Sequence, residues 1–373
     1  MASYSTLPDF ITGIGGTFTR ASTATYFDST GTLQTAASGV PRIGQLPGLT
    51  TRMGYLAEET RTNIVLRSEE FDNAQWGKVT TTVTANATTA PDGNLTADLL
   101  TATGADSSVG QIISGITAGS TYTFSVYLRA AIPQTVSIFM VDGGGGTGQT
   151  SVVCSVTTSW QRFIVTRTTS ALTTTATVQI GGATTFATGE AVFSWGAQLE
   201  LGASATSYIP TTTVAVARAA DMLSLPTTGW YSASAGTWFV EFLSMDGTST
   251  VQRPFSASDG TTTNLNELIL NGATTSTVSQ LVAGGTRTSG GLAGQTPVNA
   301  INKFAYGADA AGVTSAANGN VFSALVSAGT MPTITNLHIG NRFDGIRPMN
   351  GFIYRLFYIP SRESNATIQA LTA

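Results

Sequence analysis

Phe193-Ser-Trp-Gly-Ala-Gln-Leu-Glu-Leu-Gly-Ala-Ser-Ala-Thr-Ser-Tyr-Ile-Pro-Thr211 reads as a β-strand followed by a fixed exit. Phe193, Trp195, Ala197 and Leu199 alternate with Ser194, Gly196, Gln198 and Glu200, and a period of two puts the first set on one buried face. Gly202 and Ala203 then relax the backbone. Pro210 lacks the amide donor a central strand needs, so the chain leaves the sheet near Tyr208. On this reading Trp195 closes a sandwich core, and Tyr208-Ile209-Pro210 turns the chain toward a further domain.

The same signal recurs on both sides of this stretch. Tyr122, Phe124, Val126 and Leu128 point one way in one strand, and Trp160–Val165 and Ala176–Ile180 alternate likewise. Pro91-Asp92-Gly93 and Asp28-Ser29-Thr30-Gly31 are turns by their own chemistry. Thr17–Arg20 and Thr25–Phe27 are short strands, and Arg61-Thr62-Asn63 leads into Ile64-Val65-Leu66. Thr237–Leu243 and Gly351–Ile359 carry large apolar residues in both phases, so they are covered on both faces or paired between sheets. Ser361 can cap a terminal helix running through Leu371, with Glu363 in its first turn. The expected fold is all-β: a short N-terminal section, residues 1–66, followed by two β-sandwich (jelly-roll) domains, 67–217 and 218–373. The first section has so few apolar anchors that it is expected to dock on its neighbour or on another subunit.

Composition narrows the function. Only 10% of the 373 residues are charged, against roughly 25% in average soluble domains, so hydroxyls and backbone must wet the surface. The net charge is −4 and Lys78 and Lys303 are the only lysines; without a polybasic run, nucleic-acid binding is not expected. Cys154, the single cysteine, rules out an internal disulfide and a cysteine-cluster zinc site, and between valines it reads as a small buried hydrophobe. The N-terminus lacks the basic and apolar regions of a secretory signal, and no apolar run approaches the ~18 residues of a spanning helix, so no membrane insertion is expected.

Gly143-Gly-Gly-Gly-Thr-Gly-Gln-Thr150 has the outline of a phosphate loop, but Gln149 stands where lysine is required and a strand follows; it reads as a hairpin. His338, the only histidine, sits in an ordinary strand position. Glu58/Glu59 and Glu69/Glu70 are adjacent pairs, and neighbours on a strand face opposite sides, so neither is itself a glycosidase couple. Two carboxyls distant in sequence could still meet. Aromatics grip sugar rings by stacking, and a sugar site would draw on Tyr127, opposite in phase to Phe124, and on Trp230 and Tyr231; packing or an interface also accounts for each. Asp246-Gly247, Asp259-Gly260 and Asp344-Gly345 offer oxygens to calcium, but turn formation explains them and no spacing matches a calcium loop. No cofactor is expected.

Thr17-Phe-Thr-Arg-Ala-Ser-Thr-Ala-Thr-Tyr26, Tyr55-Leu-Ala-Glu-Glu-Thr-Arg-Thr-Asn63, Arg67-Ser-Glu-Glu-Phe-Asp-Asn-Ala-Gln-Trp76, Trp195-Gly-Ala-Gln-Leu-Glu200, Ser207-Tyr-Ile-Pro-Thr211 and Arg218-Ala-Ala-Asp221 together resemble bacteriophage and prophage fibre or appendage proteins. The central part is similar to a carbohydrate-binding-module-like jelly roll. The last part, with Trp238-Phe-Val-Glu-Phe242, Leu337-His-Ile-Gly340 and Met349-Asn-Gly-Phe-Ile-Tyr-Arg-Leu356, resembles concanavalin-A-like lectin domains. The resemblance implies a non-enzymatic virion structural protein, a tail or head fibre, spike or decoration, assembled in the bacterial host cytoplasm. Its first section would anchor it to tail, baseplate or capsid, and it would be a homotrimer that touches host surface polysaccharide. The alternatives are a polysaccharide depolymerase tailspike and a purely structural virion protein. A secreted adhesin fits less well without a leader.

Overall fold

The computed structural model describes residues 13, 15–182, 186–246, 251–271, 276–292, 297–321 and 331–373. The chain is nearly all β, in antiparallel sheets, with a short helix at Asn365–Thr372. Two compact units emerge. A central unit holds Thr30–Thr35 and Arg61–Arg218, and a C-terminal unit holds residues through Ser29, Ala36–Thr60 and Ala219–Ala373.

The central unit is a sandwich of two five-stranded sheets. One runs Gln149–Val156, Gln134–Gly143, Thr175–Gly181, Ser108–Ser114, Gly77–Val79; the other runs Gln161–Thr168, Thr121–Arg129, Ala191–Leu201, Ala97–Ala102, Thr81–Thr88. Phe124, Val126, Leu128, Val136, Ile138, Val178, Ile180 and Leu199 fill its core, as the alternation of the sequence requires. Cys154 is part of that core. The glycine-rich run is a hairpin between two paired strands, as its chemistry indicates.

The stretch Phe193–Thr211 departs from simple alternation. Tyr127 pairs with Trp195 and Ser125 with Gln198, so three steps on one strand face two on the other. The extra residue is a β-bulge at Gly196, whose φ is +64°. One added residue reverses every later side chain. Ala197 and Leu199 therefore enter the core, whereas Trp195 points away from it and packs at a tilt against Tyr208, ring centroids 4.6 Å apart. The expectation that Trp195 closes the core, on one face with Ala197 and Leu199, is corrected by this bulge.

What covers the outer face is the exit itself. The segment after Leu201 folds back over its own strand, and Gln198 Oε1 accepts the Ile209 amide at 2.6 Å. The Glu200 carboxylate accepts the Thr206 amide at 3.0 Å and the Thr206 hydroxyl. Asn63 donates to the carbonyls of Ala197 and Ile209 and accepts from the amides of Leu199 and Val65, which uses all four valences of its amide. Tyr208 hydrogen-bonds Ser68 at 2.6 Å and donates to Glu69 at 2.9 Å. The chain then pairs Val216–Arg218 with Arg61–Asn63, and Ile64–Leu66 follows that pair. Tyr208-Ile209-Pro210 is thus a strap over the sheet rather than the turn that leads out of the unit.

In the C-terminal unit, one sheet places Thr17–Thr19 beside Met222–Pro226, then Asn336–Ile339, Val251–Ser258, Leu265–Asn271, Ser276–Ala283 and Thr286–Leu292. The facing sheet includes Gly312–Ala317, Ile301–Asp309, Ala235–Ser244, Gly351–Ile359, Thr50–Ala57, Ile43–Leu46 and Ala24–Phe27. Strands from the first 60 residues are therefore built into both sheets of this unit. Four ionised side chains, each fully excluded from solvent, fix them there. Asp221 accepts from Arg20 at 2.9 Å, from Arg42 and from the Glu58 amide at 3.1 Å, and Arg42 also pairs with Glu58 at 2.7 Å. Carbonyls of Thr25 and Ala37 take up further guanidinium protons at 2.8 and 2.7 Å. Burial opposes the Arg42 charge, but Asp221 and Glu58 more than offset it and hold the guanidinium above its ordinary range.

The terminal helix is shorter than expected. Ser364, not Ser361, is its cap, accepting the Thr367 amide at 3.1 Å, while the Ser361 hydroxyl turns to Glu363. The nearer serine wins because its own extended backbone places the hydroxyl over the first turn.

Two substitutions test these supports. A Cβ at Gly196 would sit 3.1 Å from the Tyr127 ring and 3.3 Å from Tyr208, on a left-handed backbone. Gly196→Ala should lower central-unit stability by about 1–2 kcal/mol in chemical denaturation; an unchanged transition would contradict the bulge. Asp221→Asn leaves two buried guanidiniums short of a counter-charge and should cost about 3–5 kcal/mol. Glu70→Gln, at the partly exposed Arg67–Glu70 pair, should cost under about 1 kcal/mol; equal effects of the two changes would contradict this assignment.

Candidate functional site

A cleft of about 340 Å³ opens in the C-terminal unit, lined by Glu59, Asp246, Val251, Arg347, Pro348 and Asn350. Its position follows from register. Ala57, Gly351 and Ser244 are consecutive partners across three neighbouring strands, so the residues just beyond them come together where those strands end. Glu58 and Glu59 part company there: Glu58 turns inward to Arg42 and Glu59 lines the cleft. That division is the one expected for adjacent residues of extended chain.

The walls are braced from behind. The Asp246 carbonyl accepts from Gln252 at 2.9 Å and from the Ser244 hydroxyl at 3.2 Å, and the Met245 amide donates to Asn350 at 2.8 Å. Arg347 stands at φ +60° although it is not glycine and precedes a proline, a combination the backbone normally avoids. Neighbouring hydrogen bonds hold the loop in this conformation, with Met349 donating to Gly340 at 2.7 Å and Ile346 to Asp344 at 3.1 Å. Such outliers cost about 1–3 kcal/mol and cluster at functional sites. The cleft is thus lined by two acidic residues, an asparagine and an exposed arginine beside Val251 and Pro348. That set can accept and donate hydrogen bonds to a ligand rich in hydroxyls.

The aromatic positions singled out in the sequence are in two places. Tyr127 is 5% exposed. Its ring lies 5.7 Å from Trp195 and 6.5 Å from Tyr208 with the Arg162 guanidinium 5.4 Å from its centre, so the ring is a packing element under the strap and offers no face to a sugar. Trp230 and Tyr231 are half-buried at the rim of the C-terminal unit, where Tyr231 stacks on Tyr358 at 5.6 Å and Trp230 meets Trp238 edge-on at 6.0 Å. Trp230 and Tyr231 come together; Tyr127 belongs to the other unit.

The remaining sites keep plain roles. His338 lies in a strand between Ser224 and Ser256. Burial pulls its pKa below the usual 6.5, against the opposing pull of Asp344. Burial also pushes the Cys154 thiol up to about 12, which leaves no thiolate at neutral pH. Asp259 is taken up by Thr261 and Asn264, and Asp344 by Arg342, and these hydrogen bonds hold both carboxyls below their ordinary range. Asp246 lines the cleft, while its partner Gly247 lies outside the described residues. Among the described residues no group of three or more His, Cys, Asp or Glu is placed to hold a metal. Arg347, Pro348 and Val251 carry no site signal in the sequence, and Asn350 stands there only in a lectin-like phrase, because nothing local marks them as neighbours of Glu59.

No protein-family description matches the chain, and no curated protein matches it. Among solved structures it is similar to the carbohydrate-binding module of the Ruminococcus gnavus IT-sialidase bound to α2,3-sialyllactose, at 18% identity over 38% of this chain and 84% of that one, TM-score 0.35. It is also similar to the NanB sialidase of Streptococcus pneumoniae, at 13% identity over 40% and 26%, TM-score 0.36. A third is the enzymatically active domain of tailspike protein 4 of bacteriophage CBA120, at 14% identity over 38% and 21%, TM-score 0.32. These likenesses are partial and carry no argument about what this chain binds.

The single imidazole gives a clean test of the His338 environment. Its ring resonances should titrate with a midpoint below 6.5 by NMR. Because the folded value is depressed, its contribution to stability is full above pH 6.5 and is lost as pH falls toward the folded midpoint. A midpoint at or above 6.5 would contradict the buried setting.

Proposed function

We propose that the chain is a non-enzymatic structural protein of a bacteriophage particle, a fibre, spike or decoration, whose C-terminal unit attaches to host surface glycan. The cleft carries this reading. Its volume lies at the small end of the ligand-site range and suits one or two sugar residues, and its carboxylates, amide and guanidinium match the hydroxyls of a polysaccharide. The fibre-like phrases from Thr17 to Asp221 support the virion setting, with assembly in the host cytoplasm and tail, baseplate or capsid as partners. The weakly charged, Thr- and Gly-rich surface fits burial against two further copies in a homotrimer. One feature favours a second reading, a depolymerase: Glu59 and Asp246, distant in sequence, line the same cleft.

The purified protein, first sized by light scattering, should be applied to an array of host capsular and lipopolysaccharide glycans. Retention is expected, reduced about tenfold or more by Arg347→Ala or Asp246→Asn, the loss of one good polar contact. Absence of retention, or retention indifferent to both substitutions, would overturn the cleft as the attachment site.

A further inference from the structure

The central unit leaves much of one outer sheet face bare. That face belongs to the sheet Gln149–Val156, Gln134–Gly143, Thr175–Gly181, Ser108–Ser114, Gly77–Val79. Val109, Val136, Ile138, Val178 and Ile180 point into the core, so the residues that alternate with them point outward. Val79, Ile112 and Val153 are among these, 54%, 72% and 60% exposed. Ile112, Thr177 and Val141 are successive partners in one row, and Phe139 stands two residues from Val141 on the same side. Among the described residues of this face none is ionisable; between its apolar positions it carries Ser, Thr, Gln and Gly.

The partner sheet is built otherwise. Its outer face carries Arg129, Arg162 and Glu200, and the strap lies over part of it. Glu200 takes up the Thr206 amide at 3.0 Å, and Arg162 donates to the Thr206 carbonyl at 2.6 Å.

The edges of the sandwich differ in the same way. Natural proteins protect an open edge with charge, shortness or a bulge, because its unpaired backbone groups invite another strand. Gly77–Val79 is three residues long and includes Lys78. Gln161–Thr168 carries Arg162 and Arg167. Thr81–Thr88 is interrupted by a register shift after Thr84, with Asn86 at φ +52°. Gln149–Val156 has none of these: its eight residues lack charge and proline and run in unbroken register with Gln134–Gly143. Among the described residues it pairs as a strand on that side alone.

Size and charge fit one occupant. Four of the strands are 7, 7, 8 and 10 residues long. With about 4.8 Å between strands and about 3.3 Å per residue, they form a plate of roughly 500 Å² in outline. Its side chains raise the accessible area toward the about 800 Å² that each partner gives to a specific interface. A surface that meets its own copy sets like against like, so a face without charge does so without repulsion. We propose that this face, with the Gln149–Val156 edge, is the contact between copies of the chain, and that a neighbouring copy covers Ile112, Val141 and Val153. That further copies exist rests on the homotrimer reading above; the surface they use follows from the central unit alone.

The mass of the full chain should be measured by analytical ultracentrifugation over a concentration series, for wild type, Ile112→Asp, Val153→Lys and, on the bulged edge, Thr84→Lys. All three positions are exposed, and circular dichroism verifies that each variant folds. Wild type is expected to be oligomeric. Ile112→Asp and Val153→Lys should each raise the dissociation constant about tenfold or more, and Thr84→Lys should leave it unchanged. Amides of Gln149–Val156 should exchange slowly with solvent deuterium in the wild-type assembly and faster in Ile112→Asp. An oligomer indifferent to both face substitutions, or weakened equally by Thr84→Lys, overturns this surface and leaves the trimer standing. A wild-type chain that stays monomeric overturns both, and if its polysaccharide retention is then lost on Ile112→Asp, the face belongs to glycan instead.

Discussion

The fold of the C-terminal unit depends on one fully buried ion cluster, Arg20, Arg42, Glu58 and Asp221. Arg20, Arg42 and Glu58 flank the first strands of the chain and Asp221 lies three residues beyond Arg218, so a single interaction joins segments 201 residues apart. Burying such charges gains little net stability, since desolvation consumes most of the attraction. What the cluster supplies is uniqueness. Two guanidiniums and two carboxylates with their backbone partners fit in one arrangement, and any other pairing strands a charge in the interior. The cleft inherits that precision, because Glu59 adjoins Glu58 and its strand is held in register by the cluster.

A second buried polar node organises the central unit around Asn63, Ser68, Gln198, Glu200 and Tyr208. The two nodes draw all their members except Arg42 from the phrases quoted between Thr17 and Asp221. Arg20, Glu58 and Asp221 sit in three of them and meet in the first node; Asn63, Ser68, Gln198, Glu200 and Tyr208 sit in four of them and meet in the second. Polar residues that must satisfy one another in the interior cannot be exchanged singly. These phrases record architecture; of the residues that line the cleft, only Glu59 lies in one of them.

Strand content and most of the core were legible, because alternation in segments such as Tyr122–Leu128 is a local property read directly from side-chain period. The reversal after Trp195 was not. Gly196 could have signalled a bulge, but a glycine within a strand pattern does not state which way the register will slip. The helix cap was misplaced by three residues because Ser361 and Ser364 have the same chemistry and only backbone geometry chooses between them. Among site residues, Trp230 and Tyr231 were visible as an aromatic pair, and Tyr127 misled because an aromatic off the core face is exposed only if nothing folds over it. The cleft was invisible, since Glu59, Asp246, Arg347 and Asn350 become neighbours only through the pairing of three distant strands.

The central claim is that this protein holds a host polysaccharide without cutting it. Prolonged incubation with purified host capsule or lipopolysaccharide, followed by size-exclusion chromatography of the polymer, tests it most directly. The account predicts that polysaccharide co-elutes with the protein and, after the protein is removed, returns to its original chain length with no new reducing ends. Progressive shortening of the polymer that is lost on Asp246→Asn would contradict it and make Glu59 and Asp246 the working pair of an enzyme.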